Sequence, residues 1–236
     1  MTSYQSAQLS KLQQQGLNLQ AVFDISTLPA EFLSQLQQQC ADLGQYRQLI
    51  LLGHGGRTMW QQLQQSDIQS DNPVDDYSIQ CVQQFFAHEQ PQQQYKIVYP
   101  GDYRIGLQQL GDLAGWHHPS PFWVGVNHHW GSWYAYRIVV LADSDFHITP
   151  TVQSQSPCET CADKPCISIC PAEAVSEKYF DVKQCSSYRL QNDSNCSHQC
   201  LSRLRCPVGK EHRYSREQIE YHYGVSYQTI KRMYAE

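Results

Sequence analysis

Eight of the ten cysteines of this 236-residue chain lie between Cys158 and Cys206. Thiolates so close in sequence can bind a metal, and in a reducing compartment they are more often metal ligands than disulfides. The sequence predicts such a compartment, because it begins without an apolar signal segment and has no stretch long enough to span a membrane. We therefore expect a cytoplasmic protein with a cysteine-bound metal centre.

The first four cysteines of this group have the more regular spacing. They read Cys158-x2-Cys161-x4-Cys166-x3-Cys170, followed by Pro171. Bacterial ferredoxins use the run C-x2-C-x2-C-x3-C-P, in which the fourth cysteine serves the other [4Fe–4S] cluster. The chain departs from this run only in its middle gap, which holds four residues instead of two. Iron–sulfur ligation is the predicted chemistry.

The other four cysteines are spaced less regularly, and only the last of them, Cys206 before Pro207, ends as the ferredoxin run does. If the ferredoxin pattern holds, the two ligand sets cross along the chain. One cluster would then take Cys158, Cys161, Cys166 and Cys206. The other would take Cys170, Cys185, Cys196 and Cys200.

Three other arrangements remain open at this stage. They are a single cluster with spare thiols, structural zinc, which also uses sets of four cysteines and C-x2-C spacing, and disulfides. The prolines after Cys170 and Cys206, with Ala172 and Ala174, favour iron–sulfur. Basic residues could offset the negative charge of bound clusters, or could simply face solvent. These residues are Lys164, Lys178, Lys183, Arg189, Arg203, Arg205 and Lys210.

Composition changes near residue 150, so we predict a first domain over 1–148 and a second over 149–236. The first holds only Cys40 and Cys81, both within apolar helical patterns. The polar stretch 143–157, with two prolines, is typical of a linker. The net charge of −5 gives no field that would attract a phosphate backbone, so nucleic acid is not an expected partner.

The first domain mixes helical and strand patterns. Apolar residues at helical spacing predict helices over 28–43 and 75–88. Short apolar runs predict strands over 48–52, 95–99, 122–126 and 133–141. Near the end of the chain, Ser215 and Gln218 form a capping-box pair that predicts a final helix.

The run CETCADKPCISICPAEAV, with FDVKQCSSYRL after it, is similar to the iron–sulfur part of epoxyqueuosine reductases. Those proteins, like reductive dehalogenases, join two [4Fe–4S] clusters to a cobalamin-binding domain. The resemblance therefore implies two clusters with crossed ligands, and Cys185 as a ligand of the second. The chain is shorter than those reductases and lacks their helical repeats that grip tRNA, which argues against queuosine chemistry.

The first domain resembles the cobalamin-processing (cblC-type) proteins in three pieces. They are residues 71–75 (DNPVD), 118–121 (HPSP) and 124–141 (VGVNHHWGSWYAYRIVVL). The resemblance implies an α+β fold, with a nitroreductase/cblC-like mixed sheet, largely antiparallel, between flanking helices. It also implies a flat pocket for a tetrapyrrole or flavin, followed by a small ferredoxin-like cysteine-rich domain.

The candidate cofactor pocket is the aromatic and histidine group of the last two pieces. Aromatic faces suit the plane of a corrinoid, polar groups suit its amide rim, and a histidine could ligate cobalt. A well-packed hairpin with a polar turn would explain the same residues without any ligand. The candidate cofactor-binding residues are His118, His128, His129, Trp130, Gly131, Trp133, Tyr136 and Arg137.

The sequence thus predicts an iron–sulfur redox protein that passes electrons to a bound cofactor, a corrinoid rather than a flavin, for cobalamin reduction or processing or a corrinoid-dependent reduction. The alternative is a non-enzymatic ferredoxin-like carrier or partner-binding protein, so assignment as an oxidoreductase stays open. A zinc-stabilised binding module is a third reading. The expected partner is an electron donor such as a flavodoxin or a ferredoxin reductase. The sequence does not predict the oligomeric state.

Overall fold

The computed structural model describes residues 7–151 and 154–234. Within them the chain forms two compact units. The sheet unit is the described part of Met1–Gly115 and Tyr134–Gln153, and the cysteine unit is that of Trp116–Trp133 and Ser154–Glu236. The chain therefore enters the cysteine unit twice. The domain boundary at residue 148 remains a prediction. It divides the chain once, whereas each compact unit takes two separate segments of the chain.

The sheet unit is built on four strands in the order β1-β2-β4-β3. They are β1 (Leu19–Asp24), β2 (Gln48–Gly55), β3 (Tyr95–Tyr99) and β4 (Tyr134–Ala142). The α+β class is confirmed, but the expected mixed sheet is not, since each of the three pairings between these strands is antiparallel. A parallel pair would need a crossover that returns the chain in the same direction, and no adjacent pair has one.

Strand β2 is the centre of this unit and is buried along its whole length. Its residues Leu49 to Leu52 are at most 1% exposed. A strand buried on both faces shows a continuous apolar run instead of alternation. This is why the run 48–52 predicts the strand correctly, although the strand extends three residues further.

Helices of the sheet unit surround these strands. They are α1 (Ser10–Gln14), α2 (Ala30–Gln39), α3 (Thr58–Gln64), α4 (Pro73–Glu89) and α5 (Leu107–Leu113). The longest, α4, begins with proline at its first position, where the missing N–H costs nothing. It buries Val82, Phe85 and Phe86, as its helical spacing predicts. Cys40 and Cys81 are also buried, at 1% and 3% exposure.

The stretch 143–149 packs on the sheet unit and is not a free linker. Phe146 is 2% exposed, and its backbone oxygen accepts a hydrogen bond of 2.7 Å from Gln48 Nε2. Gln48 Oε1 in turn accepts from Ser144 Oγ at 2.7 Å. One buried aromatic side chain anchors the segment to the sheet unit. The polar composition of the stretch does not indicate this packing.

The cysteine unit contains four α-helices among its described residues: α6 (Pro165–Ser168), α7 (Val182–Arg189), α8 (Leu201–Arg205) and α9 (Arg216–Met233). Helix α9 begins as predicted, because Ser215 Oγ accepts a hydrogen bond from Gln218 N at 3.2 Å. The predicted strand over 122–126 does not form. Trp123 has φ of 64°, which breaks an extended run, and only the isolated bridge of Val126 with His118 remains. Among the helices of the described residues, none is long and apolar enough to cross a membrane.

Candidate metal centre

The eight clustered cysteines lie in the short helices and turns of the cysteine unit. All ten cysteines of the chain are described, and each is a free thiol. Cys166 lies in α6 and Cys185 in α7, while Cys200 and Cys206 flank the two ends of α8. Their spacing along the chain is irregular because the segments between them fold back into helices.

One group of thiols collects around an apolar cluster that contains Phe122, Val126 and Val175. Cys166 and Cys206 are 7% and 5% exposed within it. Burial raises the pKa of Cys166 to about 11, and the neighbouring thiols of Cys206, Cys158 and Cys161 contribute to the rise. Burial likewise raises the pKa of Cys158, again with contributions from Cys206 and Cys161. We call Cys158, Cys161, Cys166 and Cys206 the first thiol group.

A second group forms around α7. Burial raises the pKa of Cys185 to about 11, and Cys200, Cys170 and Cys196 add to the rise. Cys196 behaves in the same way, with burial first and then Cys200 and Cys170 as the causes. We call Cys170, Cys185, Cys196 and Cys200 the second thiol group. Cys170 packs on the apolar cluster of the first group, yet its thiol acts on the second.

The two thiol groups have the same members as the crossed sets expected from the ferredoxin pattern, and their ligation of metal stays a prediction. In each of these pKa shifts, the thiols that contribute belong to one group. Binding of a metal cation to thiols releases their protons, so a metal can overcome such a rise in pKa. Over 7–151 and 154–234, no three side chains of His, Cys, Asp or Glu are arranged to hold a single metal ion.

Two glycines fix the loop that carries Cys206. Gly131 and Gly209 have φ of 59° and 62°, a backbone region that favours glycine. A Cβ on Gly131 would lie 2.1 Å from the backbone oxygen of Val208, and one on Gly209 would lie 2.4 Å from Gly131 N. The two backbones therefore touch. Gly131, a predicted cofactor-binding residue, thus has a packing reason to be glycine.

The three predicted histidines and Trp130 fall into two small clusters of the cysteine unit. The rings of His118 and His128 are 5.4 Å apart. The rings of His129 and Trp130 lie 4.4 Å and 4.5 Å from His212, which the sequence did not single out. His212 follows the last cysteine by six positions in a basic stretch, and no motif marks it.

Trp133, another predicted pocket residue, lies in the core of the cysteine unit. It is 1% exposed and packs with Tyr214 and Ile219. The guanidinium carbons of Arg203 and Arg213 lie 4.5 Å and 5.7 Å from its ring centre. Its ring faces are thus covered by protein, which suits packing better than contact with a ligand.

Tyr136 and Arg137, the last two predicted pocket residues, belong to the sheet unit. Arg137 Nε donates a 2.9 Å hydrogen bond to Nδ1 of the fully buried His54. Burial raises the pKa of Asp75, and Arg137 opposes the rise. The Tyr136 ring packs closely on Gly111, where a Cβ would meet its hydroxyl oxygen at 1.9 Å. Arg137 is therefore part of a buried polar network that the sequence did not indicate.

Arg189 holds the backbone around the second thiol group. It is 6% exposed and lies one turn after Cys185 in α7. Its guanidinium donates to the backbone oxygens of Cys196 at 3.1 Å, Ser197 at 3.1 Å and Tyr223 at 3.0 Å. It thereby joins the loop that carries Cys196 to helix α9.

Replacing Arg189 by Met should destabilise the cysteine unit strongly. One buried and two half-buried carbonyl groups would lose their donor, and an unsatisfied buried group costs about 1–3 kcal/mol. We expect a loss of about 2–3 kcal/mol in the free energy of unfolding, measured by chemical denaturation. Arg232→Met is the matched control, since Arg232 is exposed and donates to Gln228 O in its own helix. Equal stability of the two variants would contradict the role of Arg189.

The chain is similar in fold to several solved structures, although its sequence identity to them is low. No protein-family model and no curated sequence matches the chain. The structure of epoxyqueuosine reductase from Streptococcus thermophilus matches with a TM-score of 0.51 and 10% identity, over 86% of this chain and 65% of that one. A complex of epoxyqueuosine reductase with a tRNA-Tyr epoxyqueuosine-modified stem loop gives a TM-score of 0.56 and 10% identity, over 90% and 67%.

The chain shares its fold with epoxyqueuosine reductases. The Bacillus subtilis enzyme also matches, with a TM-score of 0.51 and 9% identity over 89% of this chain and 66% of that one. The chain thus spans about two thirds of the length of these reductases. Identities this low show a common fold and nothing of the reaction. The relation to these proteins inferred from the cysteine run is confirmed at the level of the fold.

A B12-trafficking protein, CblC of C. elegans, is a weaker match. Its TM-score is 0.47 with 11% identity, over 87% of this chain and 84% of that one. That score is too low to support an argument about the fold. The likeness to reductive dehalogenases and to ferredoxins stays a prediction from the cysteine spacing.

Proposed function

We propose that the chain is an iron–sulfur redox protein that binds two [4Fe–4S] clusters and passes single electrons to a bound corrinoid. The observation that supports this is the sorting of eight thiols into two groups of four. The first group (Cys158, Cys161, Cys166, Cys206) would hold one cluster. The second group (Cys170, Cys185, Cys196, Cys200) would hold the other.

The chemistry of each group fits a cubane cluster. Such a cluster takes one thiolate on each of its four irons, and when bound it supplies single-electron transfer. The raised pKa values of Cys166 and Cys185 mean that these thiols keep their protons at neutral pH until a metal displaces them. Apolar side chains such as Phe122 and Val126 limit water around the first group, and solvent exposure is one factor that sets cluster potentials.

The corrinoid part of the proposal rests on the resemblance of residues 118–141 to cobalamin-processing proteins and on the rings of His129, Trp130 and His212. Flat aromatic faces suit a large planar ligand. The expected electron donor is a flavodoxin or a ferredoxin reductase.

A ferredoxin-like carrier without a cofactor of its own is the second candidate. The burial of Trp133 and the packing of Tyr136 against Gly111 favour it, because they assign two predicted pocket residues to packing. The two candidates differ only in whether a corrinoid binds.

Anaerobic purification with iron, sulfide and zinc analysis tests the clusters. We expect brown protein with about eight irons per chain, as two cubanes require. Colourless protein that contains zinc would reject the clusters. A titration with cob(III)alamin, and separately with a flavin, then tests the cofactor. A shift of the cobalamin spectrum that is lost in Trp130→Ala supports the corrinoid. The exposed Trp123 provides the matched control Trp123→Ala.

A further inference from the structure

Helix α8 connects the two thiol groups. Cys200 of the second group precedes the helix, and Cys206 of the first group follows it. Arg203 lies midway, three residues from each cysteine. A short helix with one ligand of each group at its ends places this side chain close to both.

The guanidinium of Arg203 is buried, although its surroundings look apolar. The residue is 8% exposed. Its guanidinium carbon lies 4.5 Å from the ring centre of Trp133 and 5.1 Å from that of Tyr214. One amino group donates to the backbone oxygen of Ser132. Among the described residues, Arg203 Nε has no hydrogen-bond partner.

A buried cation of this kind needs a counter-charge, because taking an unpaired ion out of water costs several kcal/mol. Within the described part of the chain, no carboxylate forms an ion pair with Arg203. The rings of Trp133 and Tyr214 that lie over its guanidinium are neutral and supply no negative charge.

Arg203 lies next to a ligand of each thiol group. Residues three apart on a helix are neighbours, so Arg203 is beside both Cys200 and Cys206, and Cys206 N donates to Arg203 O at 3.3 Å. Arg189, the second buried arginine, lies in α7 with Cys185 and donates to the backbone oxygen of Cys196, and both of these cysteines belong to the second group.

We propose that Arg203 is the shared counter-charge of the two metal-loaded thiol groups, and that it raises the reduction potential of both clusters. The inference rests on the proposed function. A cluster with four thiolate ligands is negative and becomes more negative when it accepts one electron, so a nearby buried cation favours the reduced form. No proton and no further reactant is needed for this step. Arg203 is a positioning charge and not a catalytic residue.

The test is a potentiometric titration of the anaerobic full-length protein, followed by electron paramagnetic resonance. Arg203→Gln should lower the equilibrium constant for one-electron reduction of both clusters at least tenfold, which is about 59 mV. Arg203→Lys keeps the charge and should keep both potentials. Arg205→Gln and Arg213→Gln are the controls. Arg205 lies in the same helix but is exposed, and Arg213 lies over the same Trp133 ring. Both should leave the potentials unchanged.

Each outcome decides the inference. Clusters retained in Arg203→Gln with both potentials unchanged, or with only one shifted, would overturn the shared role. If Arg203→Gln fails to hold clusters, the lysine variant decides: clusters in Arg203→Lys support a role of the charge, and their loss there assigns Arg203 to packing alone. Wild-type protein without iron would instead refute the proposed function, so the two failures are distinguishable.

Discussion

Gly131→Ala is expected to unfold the cysteine unit or to empty its first thiol group. At φ of 59° an L-residue costs about 1–2 kcal/mol relative to glycine. The new Cβ would also lie 2.1 Å from the backbone oxygen of Val208 and 2.7 Å from its carbonyl carbon. A backbone neighbour cannot rotate away as a side chain can. We therefore expect a total loss of more than about 4 kcal/mol in the free energy of unfolding.

The consequence for the metal site follows from the chain order. Val208 is only two residues after Cys206, so any shift of its backbone that relieves the overlap also moves that thiol. The first thiol group would then lose Cys206 as a ligand. Iron should then fall by about half if the second group still assembles, since each cubane holds four of the irons.

Gly224→Ala is the matched control for this substitution. Gly224 lies inside helix α9 of the same unit, and a Cβ there would meet its nearest atom, His198 Nδ1, at an ordinary 3.5 Å. Alanine within a helix should stabilise the protein by about 0.5–1 kcal/mol. Thermal unfolding and iron analysis of both variants check the pair. Wild-type melting and iron content in Gly131→Ala would show that the two backbones do not touch.

The local sequence pattern predicts an element correctly where the buried residues recur with the period of its secondary structure. Strands β2 and β3 and helix α4 were predicted because their apolar residues recur at the spacing of their secondary structure. Strand β1 was missed: Leu19, Ala21 and Phe23 do alternate with Gln20 and Asp24, but the run is only six residues long and its pairing with β2 is a long-range contact. The run 122–126 failed for the opposite reason. Its apolar pattern suits a strand, but its residues pack on Cys166 and Cys206.

The sequence does not show to which of the two compact units a segment belongs. The segment 116–133 has no cysteine, yet it belongs to the compact unit that holds the eight clustered thiols. The contacts that bind it there include two with residues more than 70 positions away. One is the approach of Gly131 to Val208, and another is the hydrogen bond of Arg203 to Ser132 O. No local pattern encodes such contacts.

The division of the cysteines into two ligand sets stays a prediction from the ferredoxin pattern, and the sequence does not show which of the basic residues near them are buried. The proline after Cys206 marks it as the ferredoxin-type ligand that crosses to the other cluster. By contrast, Arg189 and Arg203 stand among several basic residues that all suit a solvated surface. Their burial, at 6% and 8% exposure, depends on how α7, α8 and α9 fold around them. A buried arginine without a carboxylate partner is recognised only in the structure.

The crossed ligand sets make the second strong prediction, which compares two cysteines on one background. Cys185→Ser/Cys200→Ser removes two ligands of the second thiol group. This double variant should retain one cluster of about four irons per chain. Adding Cys206→Ser should then destroy the remaining cluster, whereas adding Cys170→Ser should leave it intact. Serine is close in size to cysteine, so the three variants differ mainly in which ligand is lost.

If the first four cysteines of the sequence held one cluster and the last four the other, the opposite result is expected. Cys170 would then be the fourth ligand of the remaining cluster, so Cys170→Ser would destroy it and Cys206→Ser would not. Iron analysis and the resonance spectrum of the reduced protein distinguish the two. Loss of the cluster with Cys170→Ser and its survival with Cys206→Ser would contradict the crossed sets. On the reciprocal background Cys161→Ser/Cys166→Ser the order must invert, with Cys170→Ser destructive and Cys206→Ser silent. A cysteine that is essential for folding alone would fail on both backgrounds, so this inversion separates ligation from packing.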